Sequence, residues 1–219
     1  MCGRYSVLTE DEIIEVRLII RDLSLRLASD DLREYAVEHQ QAVFPTNKAP
    51  VVTSNGSETT FELGQFGFEK WNGEGVIINA RAETIKEKSM FKQRIQQGRC
   101  VVPASGYYEW KLPGEGQKKK IKHMIKDKDG NLLFMAGLWR DGINGKEFVI
   151  ITKEPFGEIK DIHDRMPVIL KTDQIEAWLS GKMVIEELST LDHDCTGTPS
   201  EEASVGDTQA GANGQMSFF

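Results

Sequence analysis

Long apolar runs are absent from this 219-residue chain. No stretch approaches the ~20 apolar residues that a membrane-spanning helix requires, and the first residues lack the apolar segment of a secretory signal. Cysteine is scarce. Cys2, Cys100 and Cys195 form an odd set without paired spacing, which argues against a disulfide framework and for reduced thiols in a cytoplasmic protein. Neither Cys-x-x-Cys nor His-x-x-x-His occurs, so no metal site and no cofactor is expected. Basic residues are missing beyond Lys182, where Glu186, Glu187, Asp192, Asp194, Glu201, Glu202 and Asp207 stand unopposed. The net charge of −7 therefore resides in the tail, and residues 1–183 balance 27 basic against 27 acidic side chains. A balanced domain still has room for a local basic groove, so a polyanionic partner stays open.

What is present describes a soluble globular chain with 39% hydrophobic and 28% charged residues, long enough for one substantial core. Thr9-Glu10-Asp11-Glu12 ahead of Ile13, Val16, Leu18, Ile20, Leu23 and Leu27 predicts a capped amphipathic helix. A second helix is expected over Thr84 to Gln97, with Gly98 as its C′ residue. Strand patterns follow at 99–103, 106–111, 120–126, 132–139 and 147–152, with hairpin turns at 128–131 and 141–145. Met166 to Leu170 reads as another strand and Thr172 to Leu179 as a helix. Helices and strands do not alternate regularly, which predicts an α+β fold with a largely antiparallel sheet. The Gly-, Ser-, Thr- and acid-rich stretch 191–214 reads as a flexible linker behind a domain of residues 1–190.

Cys2 is the residue with the most chemical promise. If Met1 is excised, it carries a free amine and a thiol two bonds apart, with reference pKa values of about 8 and 8.5. Such a pair can take an aldehyde through nitrogen as an imine and then close a thiazolidine through sulfur. Alternatively, the amine could act as base for the thiol, as in N-terminal nucleophile hydrolases.

Four segments concentrate polar side chains where strands ought to be apolar: Cys-Gly-Arg-Tyr at 2–5, Asn-Ala-Arg-Ala-Glu-Thr at 79–84, Ser-Gly-Tyr-Tyr-Glu-Trp at 105–110, and Ile-His-Asp-Arg-Met-Pro at 162–167. Alternation puts Asn79, Arg81 and Glu83 on one face, and His163 with Arg165 on another. Each residue has an ordinary structural explanation: Arg81 and Arg165 as partners of Glu83 or Asp164, Glu109 as an exposed strand residue, His163 as a satisfied histidine. Together they supply a nucleophile, a carboxylate, an imidazole and several arginines, the parts of a reaction site with anion recognition.

These segments, with Asn47-Lys48-Ala49-Pro50 and Ala136-Gly137-Leu138-Trp139, resemble the SOS response-associated peptidase (SRAP) family of abasic-site shielding proteins, in the family's order over roughly residues 2–185. The resemblance implies a single domain with a curved, barrel-like sheet flanked by helices. It also implies covalent capture of abasic sites in single-stranded DNA by Cys2. Glu109 and His163 would move protons, and Asn79 would orient the cysteine or the sugar. Arg4, Arg81 and Arg165 would bind phosphates, while Asn47 and Trp71 would lie near the DNA path. A core position is the alternative for Trp71. A departure concerns the C-terminal strand usual in the family, since nothing after Met183 matches it. The sheet is expected to close differently or to leave an edge open.

Gln215, Met216, Phe218 and Phe219 end the chain in a string that resembles the bacterial sliding-clamp-binding pentapeptide. A clamp partner would hold the protein at replication forks on the nucleoid; packing of the two phenylalanines on the domain's own core is the alternative. Two other readings of the whole chain remain: a cysteine peptidase, whether or not limited to its own Met1, using Cys2, Glu109 and His163, and a non-catalytic clamp-associated module. Nothing in the pattern calls for an obligate dimer, so a monomer is expected.

Overall fold

A computed structural model describes residues 2–21, 26–27, 42–54, 59–113 and 119–200. The peptide at 215–219 and most of the proposed linker lie outside the described residues. In chain order the strands begin with β1 (Tyr5–Ser6), β2 (Arg26–Leu27), β3 (Ala42–Val43), β4 (Lys48–Ser54), β5 (Thr59–Phe66) and β6 (Phe68–Glu69). They continue with β7 (Val76–Ile77), β8 (Asn79–Arg81), β9 (Arg99–Ala104), β10 (Tyr107–Lys111) and β11 (Ile121–Asp127). The last are β12 (Leu133–Gly142), β13 (Gly145–Lys153), β14 (Met166–Pro167), β15 (Ile169–Leu170) and β16 (Cys195–Pro199). Helices are few and short after the first: α1 (Glu10–Arg21), α2 (Ser89–Lys92), α3 (Arg94–Gln97) and α4 (Ile175–Leu179).

The fold is α+β with a mostly antiparallel sheet. β13, β12, β9, β4 and β5 pair in succession, and β13 then pairs with β5 in parallel at Glu147↔Gln65 and Phe148↔Phe66. That last contact closes five strands into a ring. On these strands Val51, Phe66, Phe148 and Ile150 share one face and Phe61, Val101 and Leu138 the other, and all seven side chains are fully buried. Closure leaves these strands no bare edge for another chain to pair with. A second sheet, ordered β16-β11-β10-β1-β3, lies beside the ring.

The first helix starts as the sequence predicts. The Thr9 backbone N–H donates to Glu12 at 2.7 Å and the Glu12 N–H donates to Thr9 Oγ1 at 3.2 Å, the reciprocal pair of a capping box. Ile13 and Val16 are buried, but Leu18 points outward, 56% exposed. The expected continuation to Leu27 does not occur: Leu27 belongs to β2, paired with Phe61. The helix expected over 84–97 is instead a 3-10 turn at Ala82–Thr84 followed by α2 and α3. Gly98 is not a left-handed cap, since its φ is −141°. It is small because a Cβ there would overlap the Trp139 carbonyl oxygen.

The assignment of 191–214 as linker is corrected at its start. Cys195–Pro199 forms β16, five residues paired with β11 from Asp127↔Cys195 to His123↔Pro199. This strand also answers the expectation of an uncovered edge, for it caps the β11 side of the second sheet. Its polar sequence, Cys-Thr-Gly-Thr-Pro, concealed it. Only Cys195 of its five residues is buried, so alternation carried little signal.

Candidate active site

β1 enters between β10 and β3 and brings the N-terminus into the second sheet. Tyr5 pairs with Tyr107, the Tyr108 N–H donates to the Arg4 carbonyl at 2.9 Å, and the Ser6 N–H donates to Gly106 O at 2.9 Å. This register carries Cys2 along β10 toward Glu109. Tyr107 and Glu109 share the inner face of β10, while Tyr108 and Trp110 are only half-buried.

Three other elements converge on the same place. β8 pairs in parallel with β13 and puts Asn79 opposite Ile150; the Asn79 amide donates to the Cys2 carbonyl at 3.3 Å. The loop between the 3-10 turn Gly157–Asp161 and β14 carries His163, whose Nε2 lies 3.4 Å from Glu109 Oε2. Cys2, Asn79, Glu109 and His163 are thus gathered from four distant stretches of chain.

Burial sets the chemistry of each group. Cys2 is fully buried; loss of solvent, and then the Glu109 charge, push its thiol far above the ordinary range, so the sulfur rests protonated. Glu109 is 2% exposed, and burial raises its carboxyl to about 7, with the chain's amino terminus offsetting part of that rise. A carboxyl titrating there exchanges protons readily at physiological pH. Burial pulls His163 below its ordinary value, which leaves the ring neutral. Its Nδ1 accepts the Arg165 backbone N–H at 3.1 Å, and Asp164, 2.9 Å away, has a side chain 86% exposed.

The arginines divide. Arg4 lies over the rings of Phe44 at 4.2 Å and Trp110 at 5.0 Å, a cation in contact with two aromatic faces. Arg81 is exposed, on the rim of a cleft of about 130 Å³ that Asn79 and Lys88 also line. Arg165 takes the alternative the sequence offered, as a buried partner of Glu83. It is 8% exposed, and its two Nη atoms donate to the Glu83 carboxylate at 2.9 and 2.8 Å, with a further bond to Thr152 O at 2.8 Å. This bidentate pair anchors the His163 loop to the turn after β8, and an incoming phosphate has to compete with Glu83 for it.

Asn47 works inside its own loop. Its Oδ1 accepts the Phe44 N–H at 2.9 Å, which supports the ring beneath Arg4, and Thr46 beside it has a positive φ of 74°. Trp71 is not a core residue. It stands fully exposed on the turn between β6 and β7. Phe44 and Glu83 were not singled out in the sequence as site residues, because their importance comes from partners far along the chain.

Residues 1–206 match the SOS response associated peptidase (SRAP) family. The chain belongs to that family. It is 34% identical over 193 residues to the abasic site processing protein YoqW of Bacillus subtilis, covering 83% of this chain and 81% of that one. It is 33% identical over 200 residues to the abasic site processing protein YedK of Escherichia coli, covering 87% and 85%. In fold it is similar to a crystal structure of a Bacteroides thetaiotaomicron protein, with a TM-score of 0.71 over 92% of this chain and 93% of that one, at 24% identity. The match extends past β16, so that strand is part of the family domain in this chain. No helix among the described residues is long and apolar enough to cross a membrane.

Proposed function

We propose that this SRAP protein captures abasic sites in single-stranded DNA by forming a thiazolidine with Cys2. The observation that carries the reading is the Cys2 backbone at the second position of the chain, held by Asn79, beside a carboxyl poised at about 7 and an imidazole 3.4 Å from that carboxyl. After removal of Met1, the Cys2 amine adds to the aldehyde carbon of the ring-opened deoxyribose. Glu109 supplies a proton as water leaves, and an imine results. The thiol then adds across the C=N bond: sulfur bonds to carbon, and its proton passes to nitrogen. His163 exchanges protons with Glu109 between these steps.

Arg4 and Arg81 would bind the phosphates that flank the sugar, and Trp71 would stack on an unpaired base. Incubating the protein with an abasic oligonucleotide is expected to give a denaturant-resistant adduct whose mass equals the two components less one water. An intact oligonucleotide is expected to give none. Finding no adduct with protein shown by mass to lack Met1 would end this reading.

A second reading concerns Met1 itself. The positive amino terminus is felt by Glu109, so the carboxyl that serves the imine would also assist cleavage of the Met1–Cys2 bond. The terminal peptide Gln215, Met216, Phe218 and Phe219 would bind the sliding clamp, its two phenylalanines filling an apolar groove. Deleting residues 215–219 is expected to lower clamp affinity at least tenfold in a pull-down titration while leaving adduct formation unchanged. Equal affinity of the truncated chain would dispose of the clamp.

A further inference from the structure

We infer that Gly197 on β16 is a positioning residue for His163: the absent side chain at 197 is the seat of Ile162, the residue that immediately precedes the imidazole. This inference rests on the proposed role of His163 in DNA capture.

β16 is strapped to the domain on both sides of Gly197. Before it, Lys153 Nζ meets Asp192 at 3.1 Å, His193 Nε2 meets Asp127 Oδ2 at 2.8 Å, and the Lys128 N–H donates to Asp194 O at 3.1 Å. Lys153 is 2% exposed, so that contact is a fixed anchor point. After it, the Ser200 N–H donates to Lys122 O at 3.0 Å. Between these anchors Thr196 Oγ1 donates to Glu158 at 3.3 Å, tying the strand directly to the 3-10 turn Gly157–Asp161 that leads into His163.

That turn is stiff. The Ile162 and His163 N–H groups both donate to Ile159 O, at 3.0 and 2.9 Å, and Ile159 and Ile162 are buried. A displacement of Ile162 therefore carries His163 with it. Gly197 pairs with Ile125 on the inner side of the sheet. A Cβ built there would overlap Ile162 Cδ1 and stand 3.5 Å from Ile125 Cγ1. The backbone at 197 needs no left-handed conformation, so an alanine meets no strain except that overlap. Glycine inside a strand lowers its stability and marks a close approach by something else, here the Ile162 side chain.

The test pairs a bump with a hole. Gly197→Ala is expected to slow adduct formation about 10- to 100-fold, since misplacing a reacting group by about 1 Å can cost about 10²-fold. Affinity for undamaged single-stranded DNA should be unaffected, because Arg4, Arg81 and Trp71 lie elsewhere. His163, held low by burial, should titrate closer to an ordinary histidine in the variant when followed by NMR. Ile162→Val deletes the overlapped Cδ1, so G197A/I162V should recover both the rate and the titration, with I162V alone near the parent. A parent rate in folded G197A, or a slow double variant, overturns the inference. Should G197A not fold, Ile162→Ala opens a gap at the same contact. It is then expected to loosen His163 and slow the reaction, and an unchanged rate and titration overturn the inference instead. If the parent forms no adduct but the His163 titration moves and recovers as described, the packing argument stands and the proposed reaction falls.

Discussion

Changing Cys2 to Ser is expected to cut the stable adduct by about 10³-fold or more, because an intramolecular thiol closing on an imine enjoys an effective concentration of about 10⁵ M or higher. A hydroxyl closes that ring less favourably and leaves the imine to hydrolyse. Borohydride should therefore trap a covalent product from Cys2→Ser and from Cys2→Ala, both of which keep the terminal amine. Inserting an alanine between Met1 and Cys2 separates nitrogen from sulfur and should lose the stable product while a trappable imine persists. The measurement is a denaturing gel with and without reductant. A stable adduct from Cys2→Ala would move the nucleophile to another residue.

Glu109→Gln is expected to slow capture by about 10²- to 10⁴-fold, the usual loss when a positioned acid or base is removed. Stability should move the other way. Burial raises the folded carboxyl from an ordinary 4.5 to about 7, so folding favours the protonated form. The parent is then least penalised below about pH 4.5, loses stability as pH climbs from there to about 7, and is level above it. At 1.36 kcal/mol per unit, the charged, buried carboxylate weakens the fold by roughly 3 kcal/mol at pH 8. The glutamine variant escapes this cost, so urea unfolding should find it more stable than the parent at pH 8 and similar at pH 4.5. A variant that is less stable at pH 8 would mean that Glu109 is paired well enough in the fold to offset its burial. The opposed signs, slower but sturdier, mark a group kept for chemistry.

The stretch from 99 to 153 was legible because alternation and the Asp-Gly and Asn-Gly turns agree on hairpins, and β9 to β13 stand where those signals put them. β4 and β5 escaped notice. Pro50 interrupts the first, and the second mixes Thr, Glu, Gly and Gln among its apolar residues, so neither alternates cleanly. β16 was misread for a related reason, since its polar residues and acidic neighbours have the composition of a linker. In the site, Cys2, Asn79, Glu109 and His163 announced themselves as polar side chains among apolar strands. The Arg165–Glu83 pair, 82 residues apart, was an alternative the sequence allowed but left undecided. The clamp of Asp127 on His193 and the seat of Ile162 on Gly197 depend on tertiary contact, for which local patterns hold no trace.

The second sheet holds the earliest and the latest described strands together, with β1 and β16 flanking the β10–β11 pair. On the proposed mechanism, a ribosome makes the nucleophile well before the imidazole and the brace behind it. Pairing across so long a stretch of sequence forms slowly. While translation is under way, the terminal cysteine therefore lacks the histidine and its support, and an unfinished chain is a poor trap for any aldehyde it meets. On that mechanism, competence waits for β16.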